Sequence, residues 1–129
     1  MTKRIIETAK APKANGCYSQ GVLAGNTLYV SGQLPINPKT GEKLVDKPIE
    51  VQAKQVLSNI VEIVKAAGGS VDDVVKVSVY ISDISNWDIV NKVYEEIFTK
   101  DYPARCVLAI PTLHYGFKIE AEAIAHISD

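Results

Sequence analysis

The hydrophobic pattern of the chain changes period several times, and each change marks a predicted element. Apolar and polar residues alternate over about 27–34, which predicts a strand ended by the turn "NPKTGEK". After Pro48 the apolar residues recur at helical spacing as far as Gly68 and Gly69, which predicts a long first helix. The stripe of that helix consists of Ile49, Ala53, Val56, Leu57, Ile60, Val64 and Ala67.

The second half of the chain adds a helix and three strands. "DDVVKVSVYIS" alternates as a strand, Ser85 is placed to cap a second helix, and Pro103 opens the next strand. "FKIEAEAIA" predicts a last strand. The apolar positions are Val75, Val77, Val79 and Ile81 in the first strand, Trp87, Val90, Val93, Tyr94, Ile97 and Phe98 in the helix, and Phe117, Ile119, Ala121, Ala123 and Ala125 in the last strand.

This order predicts a single α+β domain over 1–129, with two helices on one face of a sheet. The opposite face is also predicted to be apolar, because it carries Val74, Tyr80, Cys106, Leu108 and Ile110. An exposed patch of that kind is an aggregation hazard in a monomer. We therefore expect a homo-oligomer whose sheets pack face to face.

Composition restricts the possible partners. The chain is 47% hydrophobic and 22% charged, with a net charge of -1, which gives no electrostatic reason to expect a nucleic-acid or membrane partner. No apolar run approaches the roughly 20 residues that span a bilayer, and the N-terminus does not have the pattern of a signal peptide. The cysteines, Cys17 and Cys106, are far apart, and no metal or cofactor motif is present. A cytoplasmic protein without a cofactor or metal is expected.

Two charged residues stand out on strands that are otherwise apolar. Arg105 begins the strand after Pro103 and shares a face with Val107 and Ala109, whereas Glu120 lies on the last strand opposite Ile119. If these two strands pair, a guanidinium and a carboxylate could line one cleft. The alternative is a structural Arg–Glu ion pair that closes a strand end, and ion pairs of that kind are common.

Other candidate residues are less specific. The loops "GCYSQG" and "SGQLP" offer hydroxyls and exposed backbone for a small ligand, although turn formation explains their composition equally well. Cys106 is more readily a small buried residue than a nucleophile. His114 and His126 could serve acid–base cleavage of RNA, but the charge balance disfavours an RNA groove.

The segments "GCYSQG", "SGQLPINPKTG", "VYISDISNWDIVNKVYEEIF", "PARC" and "KIEAEAIA", in this order and spacing, resemble the Rid family of reactive intermediate deaminases, also called the YjgF family. The presence of both Arg105 and Glu120 is similar to the RidA group. The resemblance implies a chorismate-mutase-like fold with a mostly antiparallel six-stranded sheet and two helices. It also implies a homotrimer with clefts between subunits.

The resemblance implies hydrolysis of 2-enamine or 2-imine acids, such as 2-aminoacrylate and 2-aminocrotonate, to 2-keto acids and ammonia. It assigns Arg105 to the substrate carboxylate and Glu120 to the attacking water. The residues it places around the substrate are Tyr18 as an aromatic wall, Ser31 and Gly32 near the imine nitrogen, Asn91 in the cleft, and the backbone amide of Val107. The alternative is a regulatory trimer that binds 2-keto acids without turnover.

The chain departs from the family pattern in three places. Many members have Ser-Cys after the arginine, where this chain has Cys106 and Val107, so a thiol role is not expected. Cys17 replaces a common proline before Tyr18. "PTLHYG" places His114 where proline is common, and substrate preference could differ there.

Overall fold

The two helices and the longer strands lie in the segments where the sequence predicts them, and with two short strands they form an α+β fold. The computed structural model describes residues 2–128. Its strands are β1 (Lys3–Ile6), β2 (Gly21–Ala24), β3 (Thr27–Gln33), β4 (Val74–Ile81), β5 (Ala104–Ala109) and β6 (Ile119–His126). Its helices are α1 (Ile49–Ala66) and α2 (Trp87–Ile97), and 3₁₀ turns occupy Val71–Asp73, Ile84–Asn86 and His114–Gly116. No helix in this part of the chain is long and apolar enough to span a membrane.

Helix α1 confirms the strongest prediction from periodicity. Its apolar stripe is fully buried against the sheet, with Val56, Leu57 and Ile60 each 0% exposed. The helix ends before Gly68, which adopts a φ of 95° that residues with a Cβ rarely adopt.

Two buried amides on α1 hold the loops that approach the sheet. Gln52 accepts a hydrogen bond from the Lys118 backbone N–H at 2.9 Å and donates to two carbonyls of the loop before α1. Asn59 donates to the carbonyls of Leu34 and Ile36, just after β3. Because a buried amide without partners is costly, these bonds fix the entrance to β6 and the exit from β3.

The sheet has the strand order β1-β2-β3-β6-β4-β5, and it is mixed. Every pairing is antiparallel except β4 with β5, which are parallel because α2 returns the chain to the same end of the sheet. The prediction of a mostly antiparallel sheet with two helices is confirmed. The conditional expectation that the Arg105 and Glu120 strands pair is wrong, because β4 lies between β5 and β6.

A β-bulge at the start of β4 reverses one prediction about its faces. The register shifts between Val74 and Lys76. As a result Val74 is 4% exposed and belongs to the core, whereas Val75 is 48% exposed. The sequence pattern predicted the opposite arrangement, because strict alternation does not anticipate an extra residue in a strand.

The start of α2 also differs from the prediction. Ser85 does not cap the helix but donates its hydroxyl to Asp83 inside the preceding 3₁₀ turn. Asp83 instead accepts the Ser85 backbone N–H at 2.9 Å. The extra turn of 3₁₀ helix delays the start of α2 to Trp87.

The face of the sheet away from the helices, here called the open face, carries an exposed apolar row. The residues of this row pair across neighbouring strands, and they are Ile5 (51% exposed), Val22, Tyr29 (51% exposed) and Ile124. Cys106 and Leu108 are exposed on the same face of β5, which corrects the interpretation of Cys106 as a buried residue for the single chain. The expected apolar character of this face is therefore present.

Candidate active site

Arg105 lies on the helix-covered face of the edge strand β5, clamped against α2. Its guanidinium carbon is 4.6 Å from the centre of the Trp87 ring and 4.9 Å from that of Tyr94. Its Nη1 donates to Asn91 Oδ1 at 2.9 Å. The three helix residues are spaced by four and three positions, so they share one face of α2. Two ring faces and one amide therefore fix the guanidinium in place.

The ion-pair interpretation of Arg105 does not describe the single chain. In residues 2–128 the one salt bridge joins Lys65 to Glu62. The Asn91 amide donates to Glu95 Oε1 at 3.3 Å, which orients its oxygen towards Arg105. A guanidinium has several N–H donors, and a single bond to a neutral acceptor leaves others able to bind a carboxylate bidentately.

A groove of about 370 Å³ lies beside this guanidinium, and we call it the Arg105 groove. It is lined by Asn91, Tyr94, Glu95, Tyr102, Pro103 and Arg105. Tyr94 is 2% exposed, and its hydroxyl is the buried side-chain polar atom without a hydrogen-bond partner in the described chain. Burial raises the pKa of Tyr94, and the nearby Arg105 charge partly opposes that rise. The groove thus contains a cation and a neutral hydroxyl.

The backbone of β5 adds a hydrogen-bond donor near Arg105, at the edge of the sheet. Ile110 N–H donates to the Ile81 carbonyl of β4 at 2.8 Å. Since successive N–H groups of a strand point to opposite sides, the Val107 N–H is directed to the unpaired edge of the sheet. The structure therefore makes the Val107 amide available close to Arg105, as its predicted role requires.

Glu120 lies on the open face, in a second pocket of about 520 Å³ that we call the Glu120 pocket. The residues that line it include Tyr18, Ser31, Gly32, His114, Glu120 and Glu122. At Gly32 a carboxylate oxygen of Glu120 takes the space of a Cβ, so a side chain at this position would displace that carboxylate. The absence of a side chain at Gly32 therefore lets the carboxylate lie directly on the β3 backbone.

Burial raises the pKa of the Glu120 carboxyl above its usual range. The negative charge of Glu122 raises this pKa further, whereas His114 lowers it. A carboxyl with a raised pKa exchanges protons near neutral pH more readily than an ordinary glutamate. The pocket is therefore suited to proton transfer.

A buried glutamine that the sequence reasoning missed holds the N-terminal segment that forms one wall of this pocket. Gln20 is 3% exposed, accepts the Thr8 N–H at 2.7 Å and donates to the carbonyls of Thr8, Ala11 and Pro12. These bonds fix the N-terminal segment that carries Tyr18 next to Glu120. The signal in the sequence was a glutamine directly before a strand, which is too common to be read as an anchor.

Ser31 has a partly structural role. Its hydroxyl donates to the Ser19 carbonyl at 2.5 Å, and its backbone N–H donates to the Gln20 carbonyl at 2.9 Å. The hydroxyl proton is thus already used within the chain. The Ser31 oxygen keeps lone pairs that can accept a hydrogen bond from a ligand.

The predicted site residues therefore fall into two groups that one chain does not bring together. Tyr18, Ser31, Gly32 and Glu120 line the Glu120 pocket, whereas Asn91 and Arg105 line the Arg105 groove. The register of β4 with both neighbours places Arg105 on the helix-covered face and Glu120 on the open face. Within residues 2–128 no group of three His, Cys, Asp or Glu side chains could hold a metal ion.

Comparison with known proteins identifies similar chains. A family model described as endoribonuclease L-PSP matches residues 8–127. The 2-iminobutanoate/2-iminopropanoate deaminase of Capra hircus is 46% identical over 97% of this chain and 90% of its own length. The solved structure of the Rid-family protein YyfA from Yersinia pestis is 41% identical, with a TM-score of 0.94 over 98% of this chain and 100% of that one. Escherichia coli TdcF, solved with bound serine, is 41% identical, with a TM-score of 0.92 over 97% of this chain and 99% of that one.

Proposed function

The chain belongs to the endoribonuclease L-PSP family, as its resemblance to Rid proteins predicted, and we propose that it hydrolyses reactive 2-imino and 2-enamino acids. The products are 2-keto acids and ammonia. The relatives named 2-iminobutanoate/2-iminopropanoate deaminase support this proposal. The observation that carries it is the pair of incomplete sites, one with a carboxylate-binding cation and one with a proton-exchanging carboxyl.

The Arg105 groove holds the substrate carboxylate in this proposal. The carboxylate is the permanent charge of a 2-imino acid, and a guanidinium binds it bidentately. Asn91 and the rings of α2 hold the guanidinium in position, and the Val107 amide adds a backbone donor at the strand edge. The serine bound to the relative TdcF is likewise a small molecule with a carboxylate.

The Glu120 pocket supplies the water in this proposal. The imine carbon is already electrophilic, so the protein has to position water and move protons. Glu120 takes a proton from water as the oxygen attacks the carbon of the protonated imine, which gives a neutral carbinolamine. The amine nitrogen is then protonated, the C–N bond breaks, and ammonia leaves as the carbonyl forms. Gly32 and Tyr18 shape the space in which this occurs.

We propose that the two half-sites combine between subunits of a homotrimer. The open face of one chain is apolar and exposed, so a second copy that covers it buries that surface. A head-to-tail ring in which the β5 edge of one copy meets the Glu120 pocket of the next completes one site per interface. The number three comes from the family resemblance.

RNA cleavage is the activity that the family description names, and the Glu120 pocket disfavours it. Glu120 and Glu122 both line this pocket, and a phosphodiester that approaches them meets like charge. The net charge of -1 adds no compensating attraction. A regulatory trimer that binds 2-keto acids without turnover is the remaining alternative. Measured hydrolysis of an imine would distinguish the proposed deaminase from this regulatory trimer.

A coupled assay tests the proposed activity. A pyridoxal-phosphate dehydratase generates 2-aminoacrylate or 2-aminocrotonate in the cuvette, and release of the 2-keto acid is followed with and without this protein. We expect faster release than the spontaneous rate. Binding of pyruvate without any acceleration would favour the regulatory alternative, and cleavage of a single-stranded RNA substrate under the same conditions would favour the activity in the family description.

Subunit mixing tests the shared site. Arg105→Ala and Glu120→Gln variants are each expected to be inactive, but mixed trimers assembled from both contain interfaces with one intact half from each chain. With random assembly about a quarter of the interfaces recover both groups, so about a quarter of the wild-type activity should return. If mixed trimers stay inactive, both groups act from the same chain and the intersubunit assignment is wrong.

A further inference from the structure

A short turn before β6 aims a histidine at the Glu120 pocket. The 3₁₀ turn His114–Gly116 lies between two buried anchors, Leu113 at 9% and Phe117 at 1% exposure. The turn therefore cannot drift from the sheet without exposing both anchors. His114 itself is exposed and lines the pocket that contains Glu120.

The orientation of this histidine is held by an unusual backbone. Tyr115 has a φ of 58°, a left-handed conformation that a residue with a Cβ adopts at a cost. Its ring makes an edge contact with His114 at 3.9 Å between centres and another with Phe117 at 5.7 Å. Lys43 Nζ lies 4.9 Å from the centre of the same ring. Backbone strain that is kept in place by several contacts is typical of functional positions.

Charged side chains of both signs share the pocket with His114. The titratable and charged residues that line the pocket with it are Lys13, Tyr18, Tyr115, Glu120 and Glu122, and Lys43 packs on Tyr115. Two carboxylates therefore share the pocket with the imidazole and one lysine. Imidazole is the side chain best able to exchange a proton near neutral pH, and here it shares a pocket with Glu120.

We propose that His114 is a second proton-transfer residue of the Glu120 pocket, and that it protonates the departing nitrogen. This inference rests on the proposed imine hydrolysis. In the carbinolamine, the imidazolium gives its proton to the amine nitrogen, the C–N bond breaks, and its electron pair leaves on ammonia. The hydroxyl proton returns to the imidazole as the carbonyl forms. Glu120 keeps the proton it took from water and releases it to solvent.

Assigning the two proton transfers to different residues, Glu120 and His114, has a physical advantage. Glu120 has to be deprotonated before it can accept a proton from water, whereas the leaving nitrogen needs a proton donor later in the same cycle. Two groups with different proton affinities can meet both demands in one cycle. The imidazole and the carboxyl also interact, because the positive charge of His114 lowers the pKa of Glu120.

The test compares His114→Asn and His114→Gln with wild type. Asparagine and glutamine place an amide near the two ring nitrogens but cannot carry a proton at neutral pH. We expect kcat to fall about 10²-fold with little change in KM, and the alkaline limb of the pH–rate profile to be lost. His126→Asn is the matched control, because His126 is exposed at the far end of β6 and lies outside both pockets.

NMR of the histidine side chains provides a readout without turnover. Substituting Glu120→Gln should shift the ring resonances of His114 and leave those of His126 unchanged. If the His114 variants hydrolyse imine with the wild-type kcat and pH profile, this inference fails while the proposed function stands. If wild type hydrolyses no imine, the proposed function fails, and His114 resonances that do not respond to Glu120→Gln would refute the interaction between His114 and Glu120.

Discussion

The Arg105 groove and the Glu120 pocket place their charged groups in opposite electrostatic environments. Arg105 stays on an exposed strand, and two aromatic faces and an amide hold its charge in place without neutralising it. Glu120 is half-buried, with a glycine beneath it and a second carboxylate near it, so its charge is disfavoured. In the proposed site, the Arg105 groove keeps a positive charge available for binding, and the Glu120 pocket disfavours a negative charge, which suits proton exchange.

This difference also gives a reason why the proposed site uses two chains. A guanidinium next to Glu120 would form an ion pair, which would lower the pKa of the carboxyl and occupy the donors of the arginine. Placement on opposite faces of the sheet prevents that pairing within the chain. In the assembly we propose, substrate lies between the two groups and keeps them apart.

Arg105→Ala should give the largest effect of the predicted changes. Loss of a charge-assisted contact costs about 1.5–3 kcal/mol, which is roughly ten- to a hundredfold in kcat/KM. Misplacement of the imine carbon by about 1 Å adds up to about 10²-fold, so hydrolysis should fall to the spontaneous background. The imine assay, thermal stability and trimer content are measured on one preparation.

Arg4→Ala is the matched control for this prediction, since Arg4 is the other arginine of the chain and lies exposed on β1. It should keep wild-type activity. A folded Arg105→Ala trimer that still hydrolyses 2-aminoacrylate near the wild-type rate would show that Arg105 is not part of the site. The proposed contrast between the Arg105 groove and the Glu120 pocket would then no longer hold.

Glu120→Gln should slow turnover by about 10²–10⁴-fold and leave carboxylate binding intact, because the amide keeps its shape but cannot exchange a proton readily.

The same substitution should not lower the thermal stability of the protein at pH 7, although it lowers the activity. A carboxyl with a raised pKa contributes stability below its unfolded pKa and loses it as pH rises through the folded pKa. The variant should therefore melt at or above the wild-type temperature at pH 7, and the difference should disappear near pH 4. A lower melting temperature at pH 7 would indicate a structural ion pair.

The sequence predicts the parts of this molecule that depend on local pattern. Helix α1 was predictable because its apolar stripe runs for 18 residues between clear end signals. The faces that carry Arg105 and Glu120 also follow from alternation alone. The four-residue strands β1 and β2 were not predicted individually, since so short a run has too few positions to show a period.

The arrangement of the site depends on long-range pairing, which local pattern does not contain. β4 lies between β5 and β6, and this order requires a parallel crossover from β4 to β5. The alternation of apolar and polar residues within these strands does not specify that crossover. The clamp of Trp87 and Tyr94 on Arg105 depends on that same placement. The assignments of Tyr18, Ser31, Gly32, Asn91 and Val107 came from the family resemblance, and their roles in turnover stay predictions.

Gly32→Ala should reduce kcat by about ten- to a hundredfold, because the added Cβ displaces the Glu120 carboxylate from the β3 backbone. The effect should fall on kcat rather than on carboxylate binding, which belongs to the other region. Gly68→Ala serves as control. Gly68 has a φ of 95° and no neighbour within 4 Å of an added Cβ, so it should lose stability and keep activity. An unchanged rate for Gly32→Ala would mean that Glu120 can act from a displaced position.

Cys106→Ser should have the smallest effect, although Cys106 follows Arg105 directly. Its side chain lies on the open face opposite Ser78, whereas Arg105 points to the helix-covered face, so the thiol does not line the Arg105 groove. Water attack also needs no covalent thiol intermediate. Serine keeps the size of the side chain, and surface changes of this kind cost within about 0.5 kcal/mol, or roughly twofold in rate. The imine assay and trimer content are compared with wild type, with Cys17→Ser as the control for loss of the other thiol. A collapse of activity in a folded Cys106→Ser trimer would show that the thiol reaches the substrate, and the separation between the two faces of β5 would no longer explain the site.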